Sequence, residues 1–293
     1  MKAERFKNYD NEVRELVLAF ENMRNMDMQR FFDVDQLEII IDYYLEQMDV
    51  ELLQYAVSYA EDLFPSNFEI RLRRAHMLCV QNDFKQALSL LNQLQEIDPD
   101  NTDVAYAMAT VFSALDQPQR AIQCYLRAAT DKFELGMIYG NIADEYVNLN
   151  DDAQAVHYYI KSLTENPNDE RSVENLFFSF NAMLIKELNA DHVIDFYIQF
   201  VKDHPYSLKG WFFLGSSYEL LGLWEKAVDA FEFVIAIDSK YVDAYLQMSN
   251  CYMNMGNVSE EELEYIPGER KNYYVAARLN ILSWRVVNQQ VEL

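Results

Sequence analysis

Residues 208–241 read LKGWFFLGSSYELLGLWEKAVDAFEFVIAIDSKY. Trp211, Leu214, Gly215 and Tyr218 recur at i, i+3, i+4 and i+7, which places them on one face of a helix. Gly222 interrupts that pattern. Ala227, Phe231 and Val234 then set up a second face at i, i+4 and i+7. The stretch predicts two helices folded back on each other, and it supplies a period against which the rest of the chain is read.

The period recurs. Pro65, Pro99 and Pro167 are separated by 34 and by twice 34 residues. Ala87, Ala121 and Ala155 are each 34 apart, as are Tyr125 and Tyr159, and Phe112 and Tyr146. Packing explains why separate residue classes keep one spacing. Small residues are needed where paired helices approach closely, and bulky ones fill the gaps between pairs. Proline suits the end of a second helix, because it has no amide hydrogen to continue the ladder.

Trp, Leu-Gly, Tyr, Gly, Ala and an aromatic, in the order of 208–241, resemble the tetratricopeptide repeat, a helix–turn–helix unit of 34 residues, here in a bacterial-type multi-repeat chain. Only the usual final proline is missing, with Ser239 in its place. The resemblance spans about residues 34–258. It implies an all-α fold, a right-handed superhelical solenoid of antiparallel helix pairs. The units fall at 34–67, 68–101, 102–135, 136–169, 170–207 and 208–241, with a partial unit at 242–258. Residues 1–33 are expected to form an N-terminal capping region, with Asp10 or Asn11 capping a helix whose face is Val13, Leu16, Val17, Phe20 and Met23. Residues 259–293 are expected to form a C-terminal capping region, with a helix at about 272–289 containing Trp284.

Some units depart from the pattern. Leu53 stands where the first unit should have a small residue, and Arg71 and Arg74 stand at usually apolar positions of the second. Pro118 opens a second helix, where proline is tolerated. Ala155 to Ala227 spans 72 residues, so the fifth unit carries four extra, about one helical turn. The economical reading extends its first helix through Ala182–Leu188 and starts the second after Asp191 as N-cap. Phe177, Phe178, Phe180 and Phe200 predict wider helix spacing there.

Composition agrees with an all-helical protein. Glycine and proline number only seven and six, while 51% of residues are hydrophobic. The net charge of −24 argues against non-specific nucleic-acid binding and against anionic membrane surfaces, and favours basic or neutral partners. Cys79, Cys124 and Cys251 form no CxxC pair, which fits a reducing compartment. No stretch approaches the roughly 18 apolar residues of a membrane span. A cytoplasmic location is expected.

Nothing in the sequence assembles an active site. His76, His157, His192 and His204 lie in different units, and no phosphate loop, calcium loop or nucleophile elbow occurs. A non-enzymatic interaction protein without cofactor or metal is expected. The alternatives are a self-associating scaffold, with Trp284 in a dimer surface, or a regulatory array beside a catalytic domain elsewhere.

The resemblance implies a concave groove, lined by first helices, that holds an extended peptide or a partner helix. In that register its candidates are Asp35, Glu38, Asp42 and Glu46; Leu72, Arg73, His76 and Val80; Tyr106 and Thr110. They continue with Asn141, Asp144 and Asn148; Arg171, Glu174, Asn175 and Phe178; Lys209, Phe212, Phe213, Ser216 and Leu220; Asp243, Leu246, Asn250 and Met253. Asp35, Glu38, Asp42 and Glu46 share one helix face, either a stripe for a basic ligand or a solvated surface. Phe178, Phe212, Phe213 and Leu220 read either as aromatic anchors or as packing between units. The carboxylate clamp of the family's heat-shock co-chaperones is expected to be absent. Asn141, Asn175, Arg171 and Lys209 stand near its positions, but Tyr106 and Thr110 occupy its first pair.

Overall fold

A computed structural model describes residues 11–26, 30–129, 135–188 and 190–255. Among them are fourteen helices and no strand. The chain divides into two compact units, residues 1–134 and 135–293. The first holds α1 (Asn11–Met26), α2 (Val34–Glu46), α3 (Val50–Leu63), α4 (Phe68–Val80), α5 (Phe84–Ile97), α6 (Thr102–Ala114) and α7 (Pro118–Ala128). The second holds α8 (Leu135–Asn148), α9 (Asp152–Glu165), α10 (Glu170–Ile185), α11 (Asp191–Asp203), α12 (Leu208–Leu220), α13 (Trp224–Ile237) and α14 (Val242–Asn254). From α2 to α13 the helices form six consecutive pairs, each a first helix followed by a second, and α14 follows as a first helix. Gly256 and everything expected within 259–293 lie outside the described residues, as does Asp10.

Every pair from α2/α3 to α12/α13 turns on the same device. A residue with positive φ follows the first helix: Met48, Asn82, Asp116, Asn150, Glu187 and Gly222. In each case its amide hydrogen bonds back to the carbonyl three residues earlier, and the next amide reaches five residues back. Met48 N donates to Leu45 O (3.1 Å) and Asp49 N to Tyr44 O (3.2 Å). Gly222 N to Glu219 O (3.0 Å) and Leu223 N to Tyr218 O (2.9 Å) repeat the geometry. This is a Schellman end, which satisfies orphan carbonyls and reverses the chain. Only the last of the six uses glycine.

Second helices end just as regularly. Phe64, Asp98, Asn166 and His204 all adopt φ between −134° and −126°, and proline follows each. Asn67, Asn101, Asp169 and Ser207 then cap the next first helix through their side chains.

Packing follows the period. Ala75, Ala87, Ala109, Ala121, Ala143 and Ala155 are buried. In α12, a side chain at Gly215 would place its Cβ 2.7 Å from the Phe231 ring, so glycine there permits the close approach. At the start of the chain, α1 buries Val17 and Phe20 completely, and Phe20 meets the rings of Phe32, Tyr44, Tyr55 and Tyr59. Arg71 and Arg74 reach polar partners from their apolar register, Gln93 at 2.7 Å and Glu61 at 2.7 Å.

The four extra residues of the fifth pair are distributed differently from the single inserted turn expected. Helix α10 has 16 residues and stops at Ile185, not Leu188. The connection to α11 is longer, and Asp191 is the first helical residue, not the cap. Ala190 takes the N-cap position and makes no side-chain bond. The backbones of α10 and α11 approach each other much less than those of the other pairs, and α10 packs instead on α9 and α12.

Candidate functional site

First helices expose a face whose residues are shared between solvent and the next first helix. In the first unit, α2 offers Asp35 and Glu46 exposed, with Glu38 and Asp42 half-buried between them. Arg73 of α4 lies against the middle of this stripe. Its Nε and Nη2 bond both oxygens of Asp42 at 3.0 and 2.8 Å, and its guanidinium lies 3.2 Å from Glu38 and 3.4 Å from Glu69. Burial lifts the Glu38 carboxyl above its usual range, against the pull of Arg73. Burial, helped by Arg73, pushes the adjacent His76 imidazole down. The stripe thus already holds one arginine of its own chain. Tyr106 of α6 packs edge-on against Tyr125 at 5.6 Å, and Thr110 Oγ1 donates to Ala107 O.

In the second unit the candidate residues converge on Asp144 of α8. Arg171 donates to its Oδ2 at 2.8 Å, and Asn175 Nδ2 and the Tyr159 hydroxyl donate to its Oδ1 at 3.2 and 2.5 Å. Arg171 also donates to Asn141 Oδ1 at 3.2 Å. Burial first, and Asp144 second, hold the Tyr159 hydroxyl far above its ordinary value. Lys209 of α12 lies between Glu174 and Glu170, at 3.1 and 3.4 Å. Asn175, Arg171 and Lys209, which resembled parts of a carboxylate clamp, are therefore engaged by carboxylates of the chain itself, and Asn141 accepts from Arg171.

Above Asp144 opens a cavity of about 380 Å³ between α8, α9 and α10. Asp144, Asn148, Asp152, Asn175 and the Tyr159 hydroxyl form its polar floor. Val147, Ala182 and Phe178 form its apolar rim, and Phe178 is 55% exposed. Asp152 is buried and paired to Lys186, which also donates to Asn150 O at 3.2 Å. The Asn175 and Asn148 side-chain amides donate to Asp144 and Glu145 at 3.2 and 3.3 Å.

The expected aromatic patch separates into two kinds of residue. Phe213 and Ser216 are buried: Phe213 stacks on Phe177 at 5.1 Å, and Ser216 Oγ donates to Phe212 O at 3.0 Å. Phe212 is half-buried among Phe213, Phe231 and Tyr241. Phe178 and Leu220 remain exposed. Asn250 of α14 donates to Gln247 Oε1 at 3.0 Å. Tyr159, Asp152 and Lys186 belong to the site although the repeat register reads Tyr159 as packing alone.

Among the described residues no helix is long and apolar enough to cross a membrane, and no three His, Cys, Asp or Glu side chains are grouped to hold a metal ion.

Tetratricopeptide-repeat models match residues 50–111 and 78–132, and a second such model matches 138–169. No curated protein matches the sequence. Among solved structures, the C-terminal part of a TPR repeat-containing protein from Cytophaga hutchinsonii is 13% identical. It aligns over 84% of this chain and 98% of its own, with a TM-score of 0.57. PilF of Pseudomonas aeruginosa is 15% identical over 72% of this chain and 94% of its own, with a TM-score of 0.51. The APC/C Cut9–Hcn1 hetero-tetramer structure is 14% identical, and its alignment covers 91% of this chain but 52% of that one, with a TM-score of 0.47. These likenesses are of fold. Since the repeat models fall on the helix pairs that carry the 34-residue period, the chain belongs to the tetratricopeptide-repeat family and is a protein–protein interaction scaffold.

Proposed function

We propose that the first helices of the second unit dock an extended peptide or helix of a partner protein, anchored at the cavity beside Phe178. The observation that carries this reading is the pairing of an exposed phenylalanine with a polar floor already fixed by its own hydrogen bonds. A large apolar surface left in water beside oriented acceptors suits a partner side chain with an apolar body and a donating tip. Asp144 is held by three donors, so it needs no reorganisation when a ligand arrives. Asn141, Arg171 and Asn175 act as positioning residues, and Leu220, Lys209 and Asn250 extend the face along α12 and α14. The acidic face of α2, with Asp35 and Glu46 at its ends, favours a basic or neutral partner. No bond chemistry is proposed.

The test is selection of binding peptides from a displayed random library on the full chain, followed by fluorescence polarisation with Phe178→Ala and Asn175→Ala. The expected result is peptides whose affinity falls about tenfold or more in each variant, the loss typical of a central anchor. Peptides indifferent to both substitutions, or no peptides at all, would remove this reading.

A further inference from the structure

Two of the polar side chains lining the cavity beside Phe178 are almost wholly buried. Asp152 of α9 is 7% exposed and Ser179 of α10 is 3% exposed. Asn175, Phe178, Ser179 and Ala182 stand at i, i+3, i+4 and i+7 of α10, one helix face, and all four line this space. A helical serine can return its proton to the carbonyl four residues back, as Ser216 and Ser217 do in α12. Among the described residues no group hydrogen bonds the Ser179 hydroxyl. A hydroxyl withdrawn from bulk water without a partner is costly unless a guest completes it. Asp152 is half satisfied: Lys186 bonds its Oδ2, and no described residue donates to its Oδ1.

The charges around the cavity leave room for one cation. Asp144 and Asp152 are matched by Arg171 and Lys186. Glu145, next to Asp144, is buried, and the neutral Asn148 amide is the donor it meets. Three carboxylates thus stand against two cations, and a cationic guest completes the balance. The open acceptors decide which cation. An arginine guanidinium is held best by a carboxylate with both oxygens open. Here Arg171 takes one oxygen of Asp144, Asn175 and Tyr159 take the other, and Lys186 takes one of Asp152. A compact ammonium needs only single oxygens, and Asp152 Oδ1 and Ser179 Oγ are of that kind. A methylene stem suits the rim of Val147, Ala182 and the exposed Phe178 ring.

We propose, on the reading of this cavity as the docking site, that the side chain it takes is a lysine of the partner. Asp152 and Ser179 hold the ammonium, and the stem lies on Phe178. Asp152 and Ser179 then determine specificity, while Asp144, already fully engaged, serves to position the floor.

The test is a titration of the full chain, followed by NMR at the Val147 and Ala182 methyl groups. The probes are lysine, arginine, norleucine and tyrosine, each capped as the N-acetyl N-methylamide. The expected result is a saturable shift with lysine at a Kd of about 1 mM, in keeping with a single anchor. Norleucine, which keeps the stem and lacks the charge, and arginine are expected to bind at least about tenfold more weakly. Ser179→Ala removes a hydroxyl that no described residue uses, so the fold is kept, and it is expected to weaken lysine binding about tenfold. Asp152→Asn is expected to do at least as much, with circular dichroism checking its fold, because Lys186 pairs with Asp152. Equal shifts from lysine and norleucine, a preference for arginine or tyrosine, or lysine binding indifferent to Ser179→Ala would each overturn the lysine assignment and leave the cavity as a docking site. Shifts from none of the four probes would remove the docking site as well.

Discussion

Helices α8 and α9 meet through small residues, whereas α10 and α11 are held apart by large ones. Ala143 and Ala155 are both fully buried in the first pair, and the equivalent positions of the second are Phe177 and Val193. Gly136 and Gly140 let α8 lie close to Asn166, Ser162 and Ser172, where an added Cβ would meet atoms at 2.8 to 3.4 Å. In the second pair, Phe180, Tyr197 and Phe200 fill the space, and α10 takes its support from α9 and α12. The first pair packs by close approach, and the second by volume. The candidate cavity opens where they adjoin. The close-packed pair fixes Asp144 and Tyr159, and the widely spaced pair leaves Phe178 facing water.

The largest break of this comparison is Phe180→Ala. That ring is 1% exposed and supports the wide pair, so the substitution is expected to cost about 3–5 kcal/mol in urea denaturation. Next come matched enlargements. Ala155→Leu in the close pair is expected to cost about 1–3 kcal/mol, and Val193→Leu in the wide pair less than half as much. Equal losses would mean that the spacing has no energetic consequence.

Tyr159 and Tyr197 occupy the same register position in the two pairs, and burial holds both hydroxyls above their ordinary value, with Asp144 adding to the effect at Tyr159. Each therefore contributes stability that is complete below the unfolded value of about 10 and is lost as pH rises beyond it. Stability should be flat in pH near neutrality and fall above about 10. Tyr159→Phe and Tyr197→Phe should each reduce the alkaline slope while lowering stability at pH 7, since each removes a hydrogen bond, at 2.5 and 2.7 Å. An unchanged slope in both variants would contradict the assignment. The smallest effects lie at the turns. Glu187→Gly in the wide pair is expected to stabilise by about 1 kcal/mol, because glutamate is strained at positive φ. Asn150→Gly in the close pair should gain only a few tenths, because asparagine tolerates that conformation. Thermal melting of the two variants side by side distinguishes them.

The repeat was legible because its determinants are local. Ala121 and Tyr125 declare a helix face and Pro99 a helix end, each within its own unit, and the residue order of 208–241 carries the family resemblance. The charge pairs were not legible. Arg73 finds Asp42 and Asn175 finds Asp144, each across 31 residues and between successive first helices. Nothing within one helix announces such a partner. Burial on the first-helix face was equally hidden. Phe213 and Phe178 both qualified as anchors, yet Phe213 is covered, between Phe177 and Phe212, and Phe178 is open. Asp191 was a plausible cap by residue type. The lengthened connection moved the helix start by one residue, and Ala190 took its place.

Asp238 closes α13 with φ −135° and ψ 100°, essentially the backbone of Asp98 before Pro99, yet Ser239 follows it. The turn therefore forms without proline. In the four turns where proline is present, its contribution falls on the denatured chain: a fixed ring angle narrows the conformations available before folding. The prolines that first revealed the period restrain the ensemble the protein leaves more than they shape the one it reaches.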